Sequence, residues 1–141
     1  MVLKIKYLFF LILMVVVTAC GNTSTESANA ACSIVKNIDA NFETDWKNLF
    51  EEDQKITQPF TDLGNAIVEA SKSDPENEEL QGVKKSMIKF TSSTLSAQSN
   101  YTSQDPSDAL KFIGDLSDAT KEYNKIKAWC ESRSSSSNDK N

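Results

Sequence analysis

From Ile34 to Cys130 the apolar residues of this chain recur three and four positions apart, and no run after the N-terminal segment alternates. Such spacing puts one apolar side chain per turn on a single helical face, whereas a half-buried strand needs apolar residues at every second position. Ile34, Val35, Ile38, Phe42, Trp46, Leu49 and Phe50 trace the first face and predict a helix from about Ser33 to Asp53. Ile56, Phe60, Leu63, Ile67 and Ala70 trace a second, ending near Lys72, in which Pro59 is tolerable only within the first turn. Ser73-Asp74-Pro75-Glu76 reads as an N-cap, a first-turn proline and a capping-box glutamate. The third helix that follows carries Leu80, Val83, Met87, Phe90 and Leu95, weakened by the low helix propensity of Thr91-Ser92-Ser93-Thr94. Asp105-Pro106 opens a fourth helix, with Ala109, Phe112, Ile113, Leu116, Tyr123, Ile126 and Cys130 on its inner face. The fold class predicted from these segments is all-α.

The N-terminal residues follow a different rule. Lys4 and Lys6 precede an unbroken apolar run from Tyr7 to Val17, too short to cross a bilayer that needs about 20 residues. The run closes on Val17-Thr18-Ala19-Cys20-Gly21. This sequence resembles the lipobox of bacterial lipoproteins: a branched apolar residue, a small residue, Ala or Gly, then Cys. The resemblance covers the first 21 residues only. It implies that residues 1–19 are a cleaved signal peptide, that Cys20 becomes a lipidated first residue, and that the chain is a lipid-anchored protein of the bacterial cell membrane, facing the extracytoplasmic side.

With Cys20 withdrawn from the thiol pool by its lipid, Cys32 and Cys130 remain as a pair. In an oxidising envelope the expectation for them is a disulfide. Free thiols or a metal pair are the alternatives, and the absence of histidine and of a third thiol disfavours the metal. Four amphipathic segments with short polar connections pack most economically as an antiparallel up-down-up-down four-helix bundle. In that topology the start of the first helix and the end of the fourth lie at one end, where Cys32 and Cys130 fall. Bundle and terminal disulfide therefore support each other.

The predicted organisation is a lipidated Cys and flexible tether over 20–31, a helical bundle over 32–130 and a disordered Ser-rich tail over 131–141. The tether reading rests on the small polar residues of GNTSTESANAA, and eleven such residues span about 18 Å. The tail reading rests on ESRSSSSNDKN, which has no apolar residue.

Composition excludes several chemistries. Without histidine there is no Ser-His-Asp or Cys-His catalysis, and paired cysteines provide no thiolate. The glycines at 64, 82 and 114 are isolated, so no phosphate loop exists. The carboxylate runs at Glu51-Glu52-Asp53 and around Glu76, Glu78 and Glu79 fall at predicted helix ends and lack the calcium-loop pattern. No catalytic residue, metal ligand or cofactor is expected. Removing Lys4 and Lys6 with the signal leaves 13 basic and 20 acidic residues, a net charge of −7 that repels nucleic acid and anionic headgroups. The expected role is a non-catalytic interaction or structural module at the membrane surface, with an envelope protein as partner. The alternative is a carrier for a small apolar ligand held between the helices, with Trp46 and Trp129 as its candidate lining because an indole N–H prefers a polar partner or a wet edge.

The address is testable at one atom. Replacing Cys20 by Ser is expected to abolish fatty-acid incorporation, read as loss of the acyl mass from the N-terminal peptide. A variant that still carries fatty acid would overturn the lipobox reading.

Overall fold

The structure is a computed structural model that describes residues 23–51, 55–101 and 105–138. Cys20 and the signal segment lie outside the described residues. The described residues form five α-helices and no strand: α1 (Ser24–Ala40), α2 (Phe42–Glu51), α3 (Gln58–Ser73), α4 (Glu78–Tyr101) and α5 (Pro106–Asn138). The all-α expectation holds, and so does the bridge. Cys32 in α1 is disulfide-bonded to Cys130 in α5, with Cα atoms 5.3 Å apart. Closing a loop of 98 residues removes denatured-state freedom worth between 4 and 5 kcal/mol, at roughly the upper end for one crosslink in the chain-entropy model.

The first helix begins earlier than expected. Thr23 and Glu26 form a reciprocal capping box: the Glu26 amide donates to Thr23 Oγ1 at 3.3 Å and the Thr23 amide to Glu26 Oε2 at 3.2 Å. Ala28 and Ala31 are buried against the core, so the segment read as a flexible tether is helical from Ser24 onward. Small residues look like a linker in composition, yet alanine has the highest helix propensity, and one face of Ala and Ser lets neighbouring helices approach closely.

The single helix expected from Ser33 to Asp53 is two. Asn41 interrupts it at φ −114° and ψ 24°, with its side-chain amide bonded back to the Asn37 carbonyl at 2.9 Å. Asparagine competes with the helical ladder through such local bonds. The reorientation leaves Phe42 46% exposed while carrying Trp46 and Leu49 inside.

Two further boundaries move. Pro75 sits in a turn, and the cap of α4 is Asn77, whose Oδ1 accepts from the Leu80 amide at 3.1 Å. The serine-rich segment expected to be disordered continues α5 through Asn138. There Ser134, Ser135 and Ser136 return their hydroxyls to the carbonyls of Cys130, Glu131 and Ser132, and Arg133 Nη2 reaches Asn29 Oδ1 at 3.5 Å. Asp105 caps the start of α5 as expected, accepting from the Ser107 amide at 2.8 Å. The low-propensity run Thr91–Thr94 lies unbroken within α4, where Phe90 and Thr94 are fully buried: tertiary packing overrides propensity there.

The most extensive helix pairs are α4 with α5 and α1 with α3, followed by α3 with α4. Buried residues come from every helix, among them Val35 and Ile38 of α1, Leu63 and Ile67 of α3, Met87 of α4, and Ile126 of α5. Gln98 is buried, and its amide nitrogen donates both to the Leu49 carbonyl and, at 2.9 Å, to the Lys55 carbonyl. It thereby ties the end of α2 and the approach to α3 onto α4. Ser96 and Asn100 both donate to Asp115 Oδ2, at 2.6 and 2.9 Å, fastening α4 to α5.

Replacing Thr23 by Ala is expected to destabilise the first turns of α1 by about 1 kcal/mol. Hydrogen exchange should quicken over residues 24–31 while the Phe90 amide keeps its protection. Unprotected amides at 24–31 in the unsubstituted chain would instead restore the tether.

Candidate functional site

Four aromatic rings meet in the core, and each comes from a different helix. Tyr123 of α5 lies 5.8 Å from Trp46 of α2, 6.0 Å from Phe60 of α3 and 6.1 Å from Phe90 of α4, measured between ring centroids. Most of these contacts are edge-on or tilted, the arrangement that the ring quadrupoles favour, while Phe60 and Phe90 stack at 5.2 Å. The phenolic hydroxyl completes the set by donating to Asp39 Oδ1 of α1 at 3.1 Å, and Lys127 Nζ meets the other oxygen of Asp39 at 2.7 Å. Burial, then the charge and hydrogen bond of Asp39, push the phenol well above its usual range. Lys127 is held protonated by its hydrogen bond to Asp39 and by the carboxylate charge. Burial works to raise the Glu122 carboxyl as well, but its 2.7 Å bond from Lys125, the Ser86 hydroxyl and the charge of Lys89 together hold it below 4.5.

Trp46 and Trp129 do not come together. Trp46 is packed inside the aromatic cluster, 8% exposed, and Trp129 is buried near the disulfide with the Arg133 guanidinium 5.4 Å from its ring centroid. Both indole N–H groups are buried without an acceptor, and no ring contact joins the two among the described residues. The disulfide end carries a broad open cleft of mixed lining, among it Cys32, Cys130, Lys36, Glu79, Arg133 and several serines. Among the described residues no three acidic or cysteine side chains converge as metal ligands, and no helix is long and apolar enough to cross a membrane.

The opposite end of α5 is apolar and open. Phe112 bridges Phe50 of α2, at 6.2 Å, and Tyr101 of α4, at 5.4 Å. Beside this bridge Tyr101, Leu110 and Ile113 are 60, 74 and 60% exposed. Of the residues expected on the inner face, Phe112 and Leu116 lie inward together with Ala119, and helical geometry then turns Ala109 and Ile113 outward with Leu110. Single exposed apolar residues are ordinary on a protein surface, but here three large ones fall at the same end of the domain. Sequence spacing missed this surface because Ile113 fits the inner stripe equally well on paper. The signal that distinguishes it is Leu110, which belongs to no stripe.

Compared with known proteins, the chain matches no family model, no curated protein and no solved structure.

The buried phenol fixes a pH dependence. The folded state keeps Tyr123 neutral where the unfolded chain ionises near 10.0, so its stabilisation is complete below that pH and is lost as pH rises above it. Lys127 acts in the same direction, because its raised value makes the ion pair fail on alkalinisation. Tyr123→Phe is expected to lose about 1 kcal/mol at neutral pH and to show a shallower fall in urea midpoint above pH 10. An unchanged alkaline limb would mean that the phenol does not govern it.

Proposed function

We propose that this chain is a lipid-anchored protein of the bacterial envelope, acylated at Cys20, whose helical domain is a non-catalytic interaction module that presents the Tyr101, Leu110 and Ile113 surface to an envelope protein. The observation that carries the reading is that surface: an aromatic and aliphatic cluster left open at one end of a domain whose centre is densely packed. The anchor rests on the lipobox of residues 17–20 and on the pairing of the two remaining cysteines.

The arrangement within this reading is an antiparallel bundle of α1, α3, α4 and α5, with α2 folded over one end. Register pairs support it. Between α1 and α5, Cys32 meets Cys130, Asn29 meets Arg133 and Asp39 meets Tyr123, so one number rises as the other falls. Between α4 and α5 the same inverse order links Phe90 to Tyr123 and Tyr101 to Phe112. Between α3 and α4 it links Phe60 to Phe90 and Ser71 to Gln81.

In cells, a photocrosslinking amino acid installed at Leu110 is expected to yield one discrete protein adduct, whereas the same residue at Ser92 yields none. Ile113→Asp should remove the Leu110 adduct while shifting the urea midpoint by an amount equivalent to less than about 0.5 kcal/mol, as for an ordinary surface substitution. Adducts of equal yield at both positions, or at neither, would reject this surface as the contact.

A further inference from the structure

We propose that the groove between α3 and α4 binds the alkyl chain of an anionic single-chain amphiphile, of the fatty-acid class, with its headgroup on Lys84. Phe60, Gly64 and Val68 form one wall, Met87 and Ile88 the other, and the volume is about 340 Å³. The lining is almost wholly apolar, and Ile88 stands 59% exposed at its margin. Water there finds few polar partners, which makes replacement by methylene groups favourable.

Gly64 creates the space. A Cβ at that position would stand 3.4 Å from Met87 Cε, an ordinary contact, so alanine would just fit and a side chain as long as leucine would fill the groove. From Phe60 to Val68 the floor follows α3 for about 12 Å, a length suited to one alkyl chain and too confined for the two chains of a diacyl lipid.

The charge at one end selects the headgroup. Phe60 lies against Phe90, and Ser71 accepts from Gln81, so Lys84 falls beside Val68 at one end of the groove and Thr91 lines the other. Lys84 is half-buried and makes no hydrogen bond or ion pair among the described residues. Among the described residues Lys84 is the one basic residue that lines the groove; Lys89, one turn further on, faces Glu122 of α5 instead. The alkyl stem of Lys84 extends the apolar wall while the ammonium meets the carboxylate, as long cationic side chains do at apolar margins. Neither the anchor at Cys20 nor the surface at Leu110 enters this argument.

The test uses the full chain in membranes of the cells that produce it, irradiated with a diazirine analogue of dodecanoate or of dodecylammonium. Labelled peptides are mapped by mass spectrometry. Saturable labelling of 56–68 and 84–91 is expected, favouring the carboxylate probe by about threefold to fivefold, the range of a modest ion pair. Lys84→Glu should reverse that preference with the disulfide and urea midpoint unchanged, and Gly64→Leu should block the label. Because Lys84→Glu alters no buried core residue, the test stands even where Gly64→Leu fails to fold. Three results overturn the proposal: label as strong at Leu110 and Ile113 as in the groove, a preference unchanged by Lys84→Glu, or no saturable label on 56–68 and 84–91.

Discussion

Tyr123 is the residue on which all five helices converge. Its ring touches Trp46, Phe60 and Phe90, one each from α2, α3 and α4, and its hydroxyl reaches Asp39 on α1. A small domain has few places where every element is held at once, and here hydrophobic burial and a charge-assisted hydrogen bond coincide in one side chain. The rings supply the larger part of the stabilisation, because each buries far more apolar area than one hydrogen bond contributes on balance. The hydroxyl supplies direction: a Phe in its place would pack but would not choose which turn of α1 lies opposite. Asp39, tied to Lys127 as well, is compensated on both oxygens and so does not penalise the site as a lone carboxylate would.

The two ends of the domain are stabilised by different means. At one end the disulfide and the continuing turns of α1 and α5 form a polar region whose hydroxyls are satisfied locally by the carbonyls of the same helix. At the other end α4 and α5 are joined by hydrogen bonds to Asp115 and by the Tyr101 to Phe112 contact, and Gln98 gathers the termini of α2 and α3. Among the described residues no disulfide crosslinks that end. Its apolar exposure is therefore tolerated by a scaffold crosslinked at the opposite end.

Much of this was legible in the residues. The three-and-four spacing established the helical class, and the arithmetic of Cys32 and Cys130 anticipated the bridge, because both depend on local periodicity or on counting. What escaped depends on geometry that periodicity does not encode. The stripe from Ile34 to Phe50 runs continuously through Asn41, so only the backbone shows that the helix breaks there. Ser24–Ala31 was read from composition, although Thr23 and Glu26 already carry the capping-box spacing that marks a helix start. The serine run was read as too polar to order, but serines one turn apart can bond the preceding turn, and α1 beside them provides a partner. The α3 to α4 groove was invisible for another reason. It arises where an isolated glycine on one helix happens to face a methionine on its neighbour, a coincidence of register between segments more than twenty positions apart.

The early start of α1 changes what a lipid on Cys20 would mean. A flexible tether of eleven residues would let the domain sample many heights and orientations above the bilayer. The capping box at Thr23 starts α1 three positions after that cysteine in the sequence, and α1 begins at the disulfide end. The apolar surface lies at the far end of α5, where Ile113 is 17 residues from Cys130, a separation of about 26 Å along the helix. Were the chain anchored at Cys20 as proposed, that separation would bound the height at which the apolar surface could meet a partner. Restricting height in this way raises the effective concentration of partners confined to the same layer and lowers it for all others. Under that proposal, selectivity would come from geometry, and the apolar contacts themselves could be undemanding.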